Sequence, residues 1–417
     1  MRLLLVITTA ALTFGLALLL FPELRGTETP RVIEVLELRP EDANFKIWRE
    51  HMEAQYPPIP IAPYAESTMV RSSLALEILQ KIYPPLRTTE QVWDARVHFR
   101  RPSNLDRNVP WPEHPNGQWR LKTNSNGLRM DFDASLRDEA LVVGIAGDSH
   151  FDGVCDNEDA LAGLLQKQLE KDQLGDGARG PVEVVNMANG GHSFYQYLGA
   201  MESLLGEPLG APADLKSAAP SRLDAMVVCV YGGNDFSEVL KLAHYFGHSE
   251  RPLGWGIDNV RLAPWRKTHL PSLAQAVESL VYFRNNPSEG KLALDRALEI
   301  SDELLRHARY RDVPLLFVYL PSALESEPEL HRDKHEQLLA DLDISDADKQ
   351  GLFGLGDDYL RGLRERGAEV LDLRPVLSEN SRATGTPLYW IKDLHLNPKG
   401  HLAVAEKVRT WLREKLL

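Results

Sequence analysis

In the stretch VVGIAGDSHFDG, Val142–Gly153, an apolar run stops at a glycine, an acid, a hydroxyl and an imidazole. Polar groups placed directly after a buried-strand pattern are expensive unless they serve something, so Gly147-Asp148-Ser149-His150 is a candidate nucleophile site. Serine chemistry then sets demands on the rest of the chain. The hydroxyl holds its proton at neutral pH and must pass it to a neighbouring base, and the tetrahedral oxyanion formed on attack needs preset donors. Residue types suited to such tasks follow other apolar runs: Asn189-Gly190-Gly191, Gly232-Gly233-Asn234-Asp235, and Asp393-Leu394-His395 ahead of LNPKGH. Taken singly, each is an ordinary turn sequence, and a lone GDS usually means no more.

The elements that must position these residues are written in a repeated order. ALVVGIAGDS, PVEVVNMANGG, DAMVVCVYGGND, PLLFVYLP and AEVLDLRP read as short, fully apolar strands. DALAGLLQKQLEKD, YQYLGAMESLL, LALDRALEISDELLRHARY and AVAEKVRTWLREKL read as amphipathic helices between and after them. This predicts an α/β fold, a doubly wound parallel sheet flanked by helices, over residues 137–417. In such sheets ligands gather at the carboxyl ends of the strands, where all four polar groups fall. Residues 237–290 are too long for a plain connection and suit a lid or substrate-facing insert. No internal repeat is evident. Upstream, residues 23–136 form a stalk and N-terminal extension, with one helix expected near Ser72–Ile82. Short strands and a hairpin are expected around the Ser125-Asn126-Gly127 turn signal.

Composition narrows the function classes. The 417 residues carry 60 acidic and 47 basic side chains, a formal net charge of -13, and no basic run suited to a phosphate backbone, which argues against a nucleic-acid partner. Cys155 and Cys229 are the two cysteines, too few for a disulfide framework and without zinc-site spacing; they read as free thiols. Metal-dependent hydrolysis through Asp148, Asp393 and His395 lacks a further motif to complete a metal shell, so no metal or organic cofactor is expected. Leu3–Phe21 is uncharged over 19 residues, enough to cross the bilayer core. No A-x-A-like cleavage site follows it, so residues 1–22 are read as a retained transmembrane anchor. Arg2 on its flank favours a cytoplasmic N-terminus, with everything after Pro22 outside the cytoplasm.

Together the four groups, in this order, make the chain similar to the SGNH, or GDSL-like, hydrolase superfamily over about two-thirds of its length. The resemblance implies Ser149 as nucleophile and His395 as base. It also implies an oxyanion hole made by the backbone N–H of Ser149, the backbone N–H of Gly191 and the side-chain amide of Asn234. Asp148 and Asp235 are read as supporting groups that shape their loops. Two departures stand out. His150 occupies the position where the family commonly has Leu, and the last motif is D-x-H rather than D-x-x-H. In an extended segment residues two apart share a side, so Asp393 can still orient His395, and Asp372 in VLDLRP is the substitute if it does not. A D-x-H arrangement resembles the exported O-acetyltransferases of exopolysaccharide pathways. TNSNGLR resembles a segment ahead of the first motif in some membrane-linked relatives; Asn126 and Arg129 either approach the site or simply form a turn. His150 and His192 are read as loop neighbours and His401 as structural.

The resulting expectation is a membrane-anchored serine esterase acting on O-acyl, foremost O-acetyl, groups of a small-molecule, carbohydrate or cell-envelope substrate. The rivals are a glycan O-acetyltransferase and a catalytically silent glycan-binding or assembly protein.

Overall fold

The computed structural model describes residues 91–134, 140–176, 181–205, 223–240, 286–333 and 345–416, with Leu79, Leu242, Ala243, Phe283, Glu336 and Ala340 as single positions besides. The apolar span 3–21, the expected helix at 72–82 (Leu79 apart) and most of the 237–290 insert lie outside these residues. Among the described residues, no helix is long and apolar enough to cross a membrane.

The extension contributes two antiparallel hairpins. Strand β1 (Val92–Asp94) pairs with β2 (His98–Arg100), and β3 (Asp106–Pro110) pairs with β4 (Gln118–Lys122). The second hairpin turns through Trp111–Gly117, not around Ser125-Asn126-Gly127 as the turn signal suggested. After β4, the Asn124 side chain accepts the N–H groups of Asn126 and Leu128, and the Asn124 amide bonds back to Leu128 O. That local closure uses the groups a partner strand would need, so the chain leaves the sheet there.

The α/β unit runs β5 (Leu141–Ala146), α1 (Ser149–Asp152), α2 (Leu161–Asp176), β6 (Val182–Asn186), α3 (Phe194–Leu204), β7 (Ala225–Tyr231) and α4 (Asp235–Glu238). It continues through α5 (Pro287–Arg311), β8 (Leu315–Leu320), α6 (Ala323–Ser326), α7 (Asp346–Glu365), β9 (Glu369–Asp372), α8 (Leu373–Thr384) and α9 (Pro398–Leu416). The five strands form one sheet in the order β6-β5-β7-β8-β9, every pairing parallel. Alternate residues of each strand feed two cores, which is why the strands read as continuous apolar runs. Val142, Val228 and Phe317 pack with Leu198, Leu304 and Leu363 beneath α3, α5 and α7. Their chain neighbours Val143, Val227 and Leu316 pack with Leu165, Leu377 and Val404 beneath α2, α8 and α9. Strand order reverses between β5 and β7, so a crevice opens at their carboxyl ends.

Candidate active site

Ser149 follows that carboxyl end of β5 directly and opens α1. Asp148 is the N-cap: its carboxylate accepts the His150 N–H at 3.0 Å and lies 3.4 Å from Ser149 Oγ. The turn therefore presents the hydroxyl at the sheet edge while the acid beneath it stays fully buried. Burial raises the Asp148 carboxyl, against the charge of His395 and its own hydrogen bonds to His150 and Ser149.

The D-x-H loop meets this edge from the far end of the chain. His395 Nε2 lies 2.8 Å from Ser149 Oγ, and His395 Nδ1 lies 2.6 Å from Asp393 Oδ2. A proton on Nδ1, donated to the carboxylate, leaves Nε2 as the acceptor for the serine hydroxyl. Burial pulls His395 down, but the Asp393 charge and hydrogen bond, with Asp148 and Asp152 behind them, leave it raised above the ordinary histidine value.

The segment is not extended, contrary to the alternation expected of it. Leu394 has φ +64, a left-handed conformation that L residues avoid, and the turn closes through Leu394 N–H to Trp390 O and Trp390 N–H to His395 O. The left-handed residue folds the peptide so that Asp393 Oδ2 also accepts the His395 N–H at 3.3 Å. One intervening residue thus suffices where an extended path was expected to supply the alignment. Such a conformation costs about 1–3 kcal/mol and must be held by its surroundings. Leu394 itself is buried, and Asn397 Oδ1 caps α9 through the N–H groups of Lys399 and Gly400, with Pro398 as the first helical residue.

On the other side of Ser149, Gly191 has φ +84, the conformation glycine adopts freely, and its amide has no backbone acceptor among the described residues. The Asn189 N–H bonds Gly147 O at 3.1 Å, tying this loop to the turn that carries Ser149, and a methyl placed on Gly190 would sit 3.5 Å from Ser149 Cβ. His192 Nε2 donates to Phe99 O at 2.7 Å, and burial draws its pKa down to about 4, so it stays neutral. Asn234 opens at the same edge after β7; it is buried, and its Oδ1 has no partner among the described residues. Asp235 accepts the Tyr231 N–H and the Tyr197 hydroxyl, both at 2.8 Å, linking the start of α4 to β7 and α3. Burial, reinforced by the Asp148 charge, raises Asp235 well above the carboxylate range.

The remaining candidates separate cleanly. His150 is sandwiched, 3.8 Å from the Tyr231 ring and 4.6 Å from the His395 ring, with Nδ1 accepting the Leu396 N–H. His401 is fully buried in α9, neither ring nitrogen has a partner among the described residues, and burial draws it down to about 3. Asp372 caps α8 and pairs with Arg374, so its carboxylate is committed elsewhere. Asn126 donates its backbone N–H to Asn124 Oδ1 within the turn. Arg129 lies under the chain that leaves α1: its guanidinium donates to the carbonyls of Asp152, Gly153 and Cys155 and to Asn157 Oδ1. Cys155 and Cys229 are buried free thiols, and burial pushes Cys155 up to about 12.

Contacts with no signal in the sequence also shape the site. Phe99 of β2 offers its carbonyl to His192, Arg101 pairs with Asp152, and Glu113 accepts backbone N–H groups of the D-x-H loop. Nothing in the spacing of WPEHPNG sets Glu113 apart from any other turn acid.

No protein-family model matches the sequence, and no curated protein matches it. Several solved structures resemble this chain over about two-thirds of its length. An acetyl xylan esterase, AlAXEase, is 14% identical and covers 66% of this chain and 99% of its own, with a TM-score of 0.37. An alpha/beta hydrolase enzyme from the metagenome of Lake Arreo is 15% identical over 68% of this chain and 96% of its own, at 0.36. A member of the lipolytic G-D-S-L family from Veillonella parvula is 11% identical over 64% and 96%, at 0.33. The likeness is one of fold at most.

Proposed function

We propose that this chain is a serine esterase, an acyl hydrolase acting on O-acyl groups, foremost O-acetyl, of a carbohydrate or cell-envelope substrate. The observation that carries the reading is the hydrogen-bonded series from Ser149 Oγ through His395 to Asp393, with links of 2.8 and 2.6 Å. Such a series lets Ser149 attack an ester carbonyl while its proton passes to His395 Nε2. The amides of Ser149 and Gly191 and the Asn234 carboxamide are the donors assigned to the resulting oxyanion. Collapse expels the alcohol, which takes the proton from His395 and leaves Ser149 acylated. Water, deprotonated by the same imidazole, then releases the acid and restores the hydroxyl.

A second reading shares the first half of the cycle. If a sugar hydroxyl replaces water, the acyl group moves to a glycan, and the D-x-H spacing favours this alternative through its resemblance to exopolysaccharide O-acetyltransferases. The carbohydrate assignment rests on that spacing. Attachment to a membrane with the catalytic unit outside the cytoplasm rests on the composition of residues 1–22.

A fluorophosphonate probe should label Ser149, identified by peptide mass spectrometry, and Ser149→Ala should abolish both labelling and turnover of a small activated ester while the circular dichroism spectrum is unchanged. Turnover retained by a folded Ser149→Ala protein would remove the nucleophile from the reading. Incubating the acylated protein with and without saccharide acceptors separates the two fates, since acylated saccharide formed at the expense of free acid marks transfer.

A further inference from the structure

We propose that Glu113, in the amino-terminal extension, is a positioning residue that holds the D-x-H loop in its working geometry and acts on the reaction through Asp393. This rests on the reading of His395 as base and Asp393 as its orienting acid, and adds to it a group outside the α/β unit.

The geometry starts with the turn that carries Glu113. Trp111–Gly117 is closed by its own backbone, through Trp111 N–H to Gly117 O, His114 N–H to Trp111 O and Gly117 N–H to His114 O, so the acid projects from a preset platform. Its carboxylate reaches across 280 residues of sequence to accept the Asp393 N–H at 2.9 Å. It also accepts the Lys392 N–H, at 2.9 Å on Oε1 and 3.0 Å on Oε2. Two successive amides gripped by one carboxylate fix the peptide plane that leads into Asp393. The next residue, Leu394, is the left-handed one, and the side chains of Ile391, just before the grip, and Lys392, within it, are exposed. The Trp390 indole donates to Val154 O at 3.3 Å, and its ring lies 6.1 Å from that of His114 in the same turn, a second tie between loop and surroundings. A turn that places a strained residue between acid and base, with a solvent-facing tip, needs a restraint from outside, and Glu113 supplies it at the point where the strain begins.

The full chain carries the test, with kcat and KM on a small activated ester measured against pH for Glu113→Gln, Glu113→Ala and Asp393→Asn, and for Glu113→Ala combined with Asp393→Asn. Glu113→Ala should lower kcat by about tenfold or more with KM nearly unchanged, and should move the acid limb of kcat/KM to lower pH, because an imidazole less firmly paired with Asp393 holds its proton less tightly. Glu113→Gln keeps one acceptor oxygen and should retain activity between wild type and Glu113→Ala; it also serves if the alanine variant fails to fold. In the Asp393→Asn background, Glu113→Ala should add less than about a twofold loss, since the two act as one unit. An unchanged kcat in folded Glu113→Ala, an unmoved acid limb, or losses that multiply in the double variant would overturn the proposal. Those results would leave the Ser149 and Asp393 single variants to report on the underlying triad by themselves.

Discussion

At the scale of single residues, the proposed mechanism requires His395 to be neutral on Nε2 and correctly turned. Its pKa is raised by the charge and hydrogen bond of Asp393, which outweigh the opposing effect of burial. Only the unprotonated ring accepts the serine proton, so activity should rise with pH through a limb lying above the usual histidine range of about 6.5. Asp393→Asn should shift that limb to lower pH and, by removing the acceptor that selects the Nδ1–H form, reduce kcat severely; the corresponding change costs about 10⁴ in the serine protease triad. A pH–rate profile of both proteins checks direction and size together. His150 offers a contrasting case. Its ring packs against His395 and it accepts one backbone N–H, so His150→Leu should destabilise the fold by about 1–2 kcal/mol in denaturant titration by stranding the Leu396 amide. Ser149, Asp393 and His395 were legible as candidates because the chemistry restricts which side-chain types can act; the strand pattern placed Ser149, whereas Asp393 and His395, in the loop between α8 and α9, stood out through the family resemblance. Glu113 was not, because an acid that accepts backbone N–H groups makes no demand on the type of its partner and so leaves no pair of residues to notice.

At the scale of elements, the inner strands β5, β7 and β8 were readable because burial on both faces writes them as unbroken apolar runs, while edge strand β9 carries a weaker pattern with Glu369 exposed. Helix α7 carries a weaker signature. Gly351, Gly354 and Gly356 fall in or near its first half and lower its intrinsic propensity, yet Gly356 lies so close to the Tyr319 ring that a methyl there would sit 2.3 Å from the hydroxyl. Close approach to the sheet, not propensity, makes that helix. The hairpin misplacement has a similar origin, since the turn signal at residues 125–127 was real but the side chain of Asn124 closed it into a loop. Just past that loop sits the buried Arg129, which stacks 4.8 Å from the Trp119 ring and satisfies the carbonyls of Asp152, Gly153 and Cys155. Arg129→Met should strand those acceptors together and lower stability by more than about 3 kcal/mol, and Arg129→Lys should recover little, because a single ammonium cannot replace the planar fork. Denaturant midpoints of the two variants decide the matter: a small loss in both would mean that the cluster is dispensable.

At the scale of the whole molecule, the extension touches the surroundings of the site at three places from outside the α/β unit: β2 at His192, Arg101 and Arg129 around Asp152, and Glu113 at the D-x-H loop. Deleting residues 91–133 should therefore abolish ester turnover even where the remaining chain retains a helical circular dichroism spectrum, whereas a fully active truncated protein would mean that the extension is an accessory. The anchor proposed at residues 1–22 has its own check. A carboxy-terminal reporter that is active only when exported should score positive, and one active only in the cytoplasm would reverse the orientation.

The long reach of Glu113 also has a bearing on time. Chain growth at about 5–20 residues per second separates the appearance of Glu113 from that of Asp393, 280 residues later, by roughly 15–55 s. Throughout that interval the turn waits for the peptide it will grip, and Ser149, once made, stands without His395. On the proposed reading the growing chain is thus chemically silent, and hydrolytic power arrives only when its last segment brings His395 to Ser149.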